Sequence, residues 1–455
     1  MTAPSQSRRP RLALIAPIAG LLLAGLWALL VLRAAPAMGD AWGTPIQALI
    51  RARTPCAQPA LACLGEFLQL TAHNDSVNLV PSLAELLHTS LLGRWTITAS
   101  RLLGIAGWWL ILLLLFQAQR RLHPQPSAGS RALQAFWLFL FSLAAGLDRF
   151  AAAFAIHRAL PAFCSVAAAL LLWVPLPDRL QRHQLPLLGG LCLISLFSFA
   201  NGGLLFVLVA GSLVLQHRRQ WRAIALSGLL ALGPYLALFK WKHAAAMQAG
   251  ADPSLAQSLL LFFNFSTWPL QQALTGLSRP ELILALPLAL LIGVMVWRGV
   301  RDPNGPSEPS GNGIAFHAFL LVTYLPVPLL VALQRGYTSV PERYYVEVAL
   351  FSAAGAGLLF ELLQRPRWHR CSPPLAGLAV ALLALNSARL ILMARSGQSL
   401  PGPQGLRCLK SSSEISPATV ERCGVAGEYL KWKKRPDRAW RAAYARGLNS
   451  VLLGR

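Results

Sequence analysis

The sequence predicts an all-α protein, a polytopic transmembrane helical bundle of about eleven spans. Hydrophobic residues make up 55% of the 455 residues, charged residues only 13%, and the mean hydropathy is +0.50. A soluble globular chain carries about 25% charged residues. Because the shortfall extends over the whole length and long apolar runs alternate with short polar connections, the pattern indicates a bilayer as the solvent.

The first predicted span is an apolar run from 12 to 32, which is long enough to cross a bilayer as an uncleaved helix. Further spans are predicted at 96–117, 132–147, 159–177, 186–200, 203–216, 222–239, 281–298, 314–333, 344–363 and 374–394. The two spans on either side of Asn201 are short, since about 15 residues rise about 22 Å against about 30 Å of hydrocarbon. Their connection is therefore expected below the membrane surface, buried in protein or lining a wet cavity.

Basic residues set the predicted orientation. Clusters of arginine fall in alternate connections, which places those connections in the cytoplasm. The net charge of +24 lies in short clusters between apolar runs, which suits loops at anionic lipid headgroups and argues against nucleic-acid binding. Residues 1–11 are then cytoplasmic, 12–394 form the bundle, 33–95 form a large extracytoplasmic loop, and the basic tail at 395–455 is extracytoplasmic as well.

Four cysteines fall in the segments predicted to be extracytoplasmic. Cys56 and Cys63 lie in the first loop, and Cys408 and Cys423 lie in the tail. Each pair has a loop-closing spacing, and disulfides persist in an oxidising compartment, so two disulfides are predicted. The alternative is four separate thiols. Neither pair has the four-ligand pattern of a zinc site, and no metal site is predicted.

Several common chemistries have no motif in this sequence. The sequence has no phosphate-binding glycine loop, no dinucleotide fingerprint, no zinc-protease motif and no serine-hydrolase elbow with supporting context. No cofactor is predicted, and a requirement for a divalent metal is left open. What remains are carboxylates and arginines near the predicted outer ends of the spans, where ionisable side chains are costly unless they are paired or functional.

The first candidate is Asp40, which lies shortly after the first span. A carboxylate there is a candidate general base for a bound hydroxyl, with a helix N-cap or a solvated loop residue as the alternative. His73-Asn74-Asp75 places an imidazole, an amide and a second candidate catalytic carboxylate in consecutive positions. That group suits the binding of sugar hydroxyls, and the alternative is a simple turn.

A second candidate segment opens the predicted span at 344–363. Arg343 precedes it, and a guanidinium there can make bidentate bonds to phosphate oxygens. Tyr344 follows and suits either a ligand contact or an interfacial aromatic belt. The alternative for this segment is an anchor at lipid headgroups.

The outline resembles the C-type superfamily of integral-membrane glycosyltransferases, in which a catalytic acidic residue follows the first span in a large outer loop. It is also similar to bacterial polytopic membrane proteins with a His-Asn-Glu-His-Arg-like motif in that loop, a Ser-x-Ala/Gly-Asn-Gly turn in mid-chain and a late Ser-Arg-Tyr-like motif. The corresponding residues here are His73-Asn74-Asp75, the 198–202 turn with Asn201, and Glu342-Arg343-Tyr344, in which Glu342 replaces the small residue before Arg343.

The resemblance implies transfer of a sugar from a polyprenyl-phosphate-linked donor at the outer face of a bacterial inner membrane. Asp40 would deprotonate the acceptor hydroxyl, with Asp75 as a second acidic residue. Arg343 would stabilise the departing polyprenyl phosphate. His73, Asn74, Asn201 and Tyr344 would bind substrate, and membrane lipids and the lipid-linked sugar are the implied partners.

Two other classes remain open from the sequence. A lipid or glycolipid transporter would show ionisable residues in mid-span and broken helices in repeated halves. The glycine-containing connection at 201–203 is the discontinuity that fits this class. A non-catalytic envelope-assembly protein is the other class, since Ser76 and Val77 replace the last two residues of the first motif.

Overall fold

The computed structural model describes the chain in segments separated by gaps. The described residues are 15–33, 64, 67–68, 71–73, 76–92, 97–124, 127–143, 147, 156–175, 181–198, 200–238, 268–269, 311–327, 344–363 and 372–396. Most of these residues are helical, which confirms the predicted helical class for this part of the chain.

Eleven α-helices, one short 3-10 helix and one small hairpin form the regular structure of the described segments. In chain order they are α1 (Ile15–Arg33), β1 (Ala72–His73), β2 (Ser76–Val77), α2 (Leu79–Leu91), α3 (Ile97–Leu122), α4 (Ala128–Phe141), α5 (Ile156–Trp173), α6 (Gln184–Leu196), a 3-10 helix (Ala200–Gly203), α7 (Leu204–Leu215), α8 (Trp221–Leu238), α9 (Gly311–Tyr324), α10 (Tyr345–Leu363) and α11 (Ser372–Ser396). A helix lies in each predicted span except 281–298, which is outside the described residues.

Three of the described helices are long and apolar enough to cross a membrane. They are Ala99–Leu122 in α3, Ile156–Trp173 in α5 and Gly377–Arg395 in α11. Shorter apolar helices include α6 and α7, whose 13 and 12 residues rise about 20 Å and 18 Å. The chain thus contains membrane-type helices, and the total of about eleven spans stays a prediction.

The helices pack into one bundle around buried aromatic side chains. Helix α3 packs against α1 and α5, α4 packs against α10 and α11, and α9 packs against α5 and α10. Trp27, Trp108 and Tyr345 are fully buried where α1, α3 and α10 meet. The ring centroids of Trp108 and Tyr345 are 5.5 Å apart, and those of Trp27 and Tyr345 are 6.1 Å apart, distances typical of favourable aromatic pairs.

Helix α4 ends inside this bundle, and four other helices supply donors to its last carbonyl groups. The terminal carbonyls of a helix have no partner within the helix itself. The bonds are Tyr345 Oη to Leu140 O (2.6 Å), Trp108 Nε1 to Phe141 O (3.0 Å), Trp27 Nε1 to Ser142 O (3.0 Å) and Asn386 Nδ2 to Ser142 O (2.7 Å). These bonds tie α1, α3, α10 and α11 to the same point, so the end of α4 fixes their relative positions.

Asn386→Leu tests the contribution of this junction to stability. The amide also donates to Ser142 Oγ at 3.0 Å, so the substitution removes two buried hydrogen bonds. We expect the free energy of unfolding to fall by about 1–2 kcal/mol, measured by denaturant titration of the purified protein in mixed micelles. Gln117→Leu, on the exposed face of α3, is the matched control and should leave stability unchanged. Equal stability of the two variants would contradict the structural role of Asn386.

Helix α2 has its polar side turned toward the protein. Glu85 is fully buried and its Oε1 accepts a hydrogen bond of 2.6 Å from Ser100 Oγ on α3. His88 Nδ1 lies 3.3 Å from Glu85 Oε2, and burial lowers the pKa of the His88 imidazole from its ordinary value of 6.5, so this contact involves a neutral ring at pH 7. The exposed face carries Leu83, Leu87 and Leu91. An apolar stripe of this kind is typical of a helix that lies along a membrane surface.

Candidate functional site

Most of the residues predicted from the sequence to form a site lie outside the described segments. The structure describes the side chain of Tyr344 and places His73 in β1 and Asn201 in the 3-10 helix. Outside the described residues are Asp40, Cys56, Cys63, Asn74, Asp75, Arg343, Cys408 and Cys423. The two disulfides and the catalytic roles therefore stay predictions. Cys164 and Cys192 are described, and both are buried free thiols.

The first-loop segment contacts the mid-chain turn. Strands β1 and β2 pair antiparallel, with Ala72 opposite Val77, and the backbone N–H of Asn78 donates to Thr71 O at 2.9 Å. Helix α2 begins directly afterwards. The backbone N–H of Val80 donates to Phe197 O at 3.0 Å. This bond joins the segment that follows residues 73–75 to the turn between α6 and α7.

The mid-chain turn is closed by a glycine in contact with the end of α6. The N–H of Ser198 donates to Ser195 O at 3.1 Å. Gly202 is buried, and a Cβ there would overlap the carbonyl group of Ser195 and lie 2.8 Å from the N of Leu196. The turn can therefore fold in this form only with glycine at 202, which gives the predicted Asn-Gly motif a steric reason.

Tyr344 of the late motif packs against a buried ion pair that was not predicted from the sequence. Arg158, in the first turn of α5, pairs through Nη1 with Glu347 Oε1, in the first turn of α10. The Arg158 guanidinium also lies over the ring of Tyr344, with Cζ 5.5 Å from the ring centroid. Tyr344 is 8% exposed. It therefore contacts a guanidinium inside the protein, whereas an interfacial belt would place it at the surface.

A small polar cavity lies beside this ion pair, where five helices end or begin. Its space amounts to about 10 Å³, which is about enough for one water molecule. The polar side chains that line it are Arg158 and Ser165 of α5, Ser195 of α6, Thr323 and Tyr324 of α9, and Glu347 of α10; Leu205 of α7 completes the wall. The beginnings of α5, α7 and α10 thus meet the ends of α6 and α9.

The buried polar atoms at this cavity include three that make no hydrogen bond of normal geometry to another described residue. They are Ser195 Oγ, the Tyr324 hydroxyl and Glu347 Oε2. The Tyr324 hydroxyl lies beside Ser165, whose own Oγ donates to Pro161 O at 2.9 Å. Buried polar atoms are normally hydrogen-bonded to protein or water. The cavity therefore offers one carboxylate acceptor and two hydroxyl groups, next to an ion pair whose formal charges cancel.

A second buried polar cluster lies at the other ends of the helices. His123 Nε2 is 2.7 Å from Glu361 Oε1, and His317 Nε2 is 3.9 Å from the same oxygen. Gly313 and Gly357 leave the space for this cluster, because a Cβ at Gly313 would overlap Glu361 and a Cβ at Gly357 would overlap His317. In the part of the chain that the structure describes, no group of three His, Cys, Asp or Glu side chains is arranged to hold a metal ion. This tight packing is typical of a structural contact.

The sequence contained a weak signal for the ion pair. Arg158 and Glu347 both lie at the start of an apolar run, and the chain has only 17 acidic residues, so a carboxylate at such a boundary calls for a partner. The two residues are 189 positions apart, and only the packing of α5 and α10 against α9 identifies them as partners.

Comparison of this chain with protein-family models, with curated proteins and with solved structures finds no match.

Proposed function

We propose that this chain is a multi-pass membrane protein of the C-type glycosyltransferase kind that transfers a sugar from a polyprenyl-phosphate-linked donor at the extracytoplasmic face. One observation carries the proposal. Residues next to the mid-chain turn at 198–202 link it to the other two motif segments. Phe197 accepts the hydrogen bond from Val80, shortly after 73–75, and Ser195 lines the same cavity as Arg158, whose guanidinium lies over Tyr344. Convergence of separate polar segments at a concave site is the usual form of an active site.

The described helices support the proposed arrangement in the membrane. The cavity lies at ends that the arginine distribution assigns to the extracytoplasmic side, and the Arg121 and Arg218 side chains lie at the opposite ends, where they bond to Pro175 O and Gln184 Oε1. Arginine clusters in alternate connections imply about eleven spans. They also place the loop at 33–95 and the tail at 395–455 on the same side of the membrane as the cavity. A bacterial inner membrane is the proposed location.

In the proposed reaction, the oxygen of the acceptor hydroxyl forms a bond to the anomeric carbon as the bond from that carbon to the phosphate oxygen breaks. The acceptor proton passes to Asp40, and Asp75 is the second candidate carboxylate. The polyprenyl phosphate leaves as an anion, which Arg343 stabilises electrostatically. His73, Asn74, Asn201 and Tyr344 bind the sugar and its phosphate.

The test compares the envelope glycans of cells that produce each variant in place of the unmodified protein. Asp40→Asn and Arg343→Ala should each abolish the transferred sugar, with a loss of at least about a hundredfold. Asp302→Asn, in a connection assigned to the cytoplasm, is the matched control and should leave the glycans unchanged. Membrane insertion and abundance are measured for every variant.

A deletion that changes the cell while Asp40→Asn and Arg343→Ala restore it fully would overturn the transferase proposal. That result would instead indicate a transporter or an assembly protein, because neither class requires a general base at this position.

A further inference from the structure

We infer that the cavity beside the Arg158–Glu347 pair binds a single hydroxyl group of a neutral sugar. This inference depends on the proposed function only for the choice of a sugar as the molecule that carries the hydroxyl. The site is formed by Ser195, Tyr324 and Glu347, none of which belongs to the three motif segments. Their side chains come from α6, α9 and α10, which the rest of the bundle holds in place.

The cavity atoms without a hydrogen bond have the donors and acceptors that a hydroxyl group requires. Ser195, Tyr324 and Glu347 are only 1%, 3% and 3% exposed, so bulk water does little to satisfy their polar atoms. Glu347 Oε2 is an acceptor, whereas the Tyr324 and Ser195 hydroxyls can donate. A sugar hydroxyl both donates and accepts, so it can donate to Glu347 and accept from Tyr324 or Ser195. Leaving such buried groups without partners is costly, which gives the site its selectivity.

The charge of the cavity argues against an anion at this point. Glu347 already pairs with Arg158 through Oε1, and the guanidinium also lies over Tyr344. A phosphate placed here would face the second carboxylate oxygen of Glu347 at close range, and like charges in a dry site repel strongly. The phosphate of a donor is therefore expected elsewhere, and the neutral sugar is the part that reaches this cavity.

The size of the cavity limits what enters it. Its 10 Å³ of space holds about one water-sized group, so a whole sugar ring does not fit within the described walls. One hydroxyl fits, with the ring outside the cavity. The site would thus recognise the presence and orientation of one hydroxyl, and a deoxy analogue that lacks this hydroxyl should bind more weakly.

The experiment measures thermal unfolding of the full-length protein in lipid nanodiscs. The probes are the methyl glycosides of glucose, galactose and mannose, their single-deoxy analogues, and inorganic phosphate at equal ionic strength. We expect at least one methyl glycoside to raise the unfolding temperature and one of its deoxy analogues to lose the effect. Tyr324→Phe should weaken the apparent affinity about tenfold, and Ser195→Ala provides a second, smaller change at the same cavity.

Tyr235→Phe is the matched control, since this tyrosine on α8 does not line the cavity, and it should bind like the unmodified protein. The inference would be overturned if phosphate alone stabilised the protein, or if the Tyr324→Phe and unmodified proteins responded identically to the glycosides. It would also be overturned if no glycoside changed the unfolding temperature, because the cavity would then hold water only. Two combined outcomes separate this inference from the proposed function. If glycosides bind in a Tyr324-dependent way but the Asp40→Asn strain has unchanged glycans, the hydroxyl site is supported and the sugar-transfer proposal is contradicted. If the Asp40→Asn strain has changed glycans but no glycoside binds, the sugar-transfer proposal is supported and the hydroxyl site is contradicted.

Discussion

Replacing Arg158 with methionine should lower the free energy of unfolding by about 3–5 kcal/mol, because it leaves the Glu347 carboxylate buried without its cation. Both partners are almost fully buried, so solvent screens the pair little. Methionine keeps an unbranched chain of similar length, and the change therefore removes the charge with little loss of packing. The measurement is denaturant unfolding of the purified protein in mixed micelles.

The double variant Arg158→Met with Glu347→Leu separates charge from packing. Removing both charges should restore most of the lost stability, because well-packed apolar groups often replace a buried ion pair at little cost. The double variant should still fail in sugar binding, since the carboxylate acceptor is gone. A double variant as unstable as the Arg158→Met single variant would show that packing against Tyr344, and not the uncompensated carboxylate, is what the arginine provides.

Gly202→Ala should prevent the turn between α6 and α7 from forming in its present geometry. The added methyl group meets backbone atoms of Ser195 and Leu196, which cannot move aside by rotating a side chain. Overpacking against fixed atoms typically costs about 1–3 kcal/mol and sometimes more, and backbone overlap belongs at the upper end. We expect strongly reduced accumulation of folded protein, measured by fluorescence-detected size-exclusion chromatography and by unfolding titration.

Gly211→Ala is the matched control for this prediction. Gly211 lies inside α7 and a Cβ there would meet nothing within 4 Å, so alanine should be neutral or stabilise the helix by about 0.5–1 kcal/mol. If Gly202→Ala folded as well as Gly211→Ala, the close contact between the turn and the end of α6 would be wrong.

Hydropathy was enough to predict where the helices lie but not where each begins and ends. The spans predicted at 159–177 and 344–363 correspond to α5 at Ile156–Trp173 and α10 at Tyr345–Leu363. In α5 the shift at the N-terminal end matters, because it brings Arg158 from the predicted connection into the first helical turn. Hydropathy averages over a window and cannot show that a charged residue continues a helix when a partner neutralises it.

The candidate site was predictable only in its motif segments. Tyr344 was identified from the sequence, whereas its contact with Arg158 and the roles of Ser195 and Tyr324 were not. Serine and tyrosine near the ends of apolar helices are common and carry no signal by themselves. What distinguishes these two is that they open into the same cavity, which is a property of how α6 and α9 pack and not of their local sequences.

The sequence by itself determined that the chain is helical and suited to a membrane, because apolar runs in a bilayer must satisfy their own backbone hydrogen bonds and helices do so within each segment. The glycine-containing turn in mid-chain was also predicted from the sequence. The tertiary structure alone decided which ends of the helices meet, that Arg158 pairs with Glu347, and that donors from α1, α3, α10 and α11 cap the end of α4. These contacts join residues far apart in the chain, and side-chain packing within the bundle selects them.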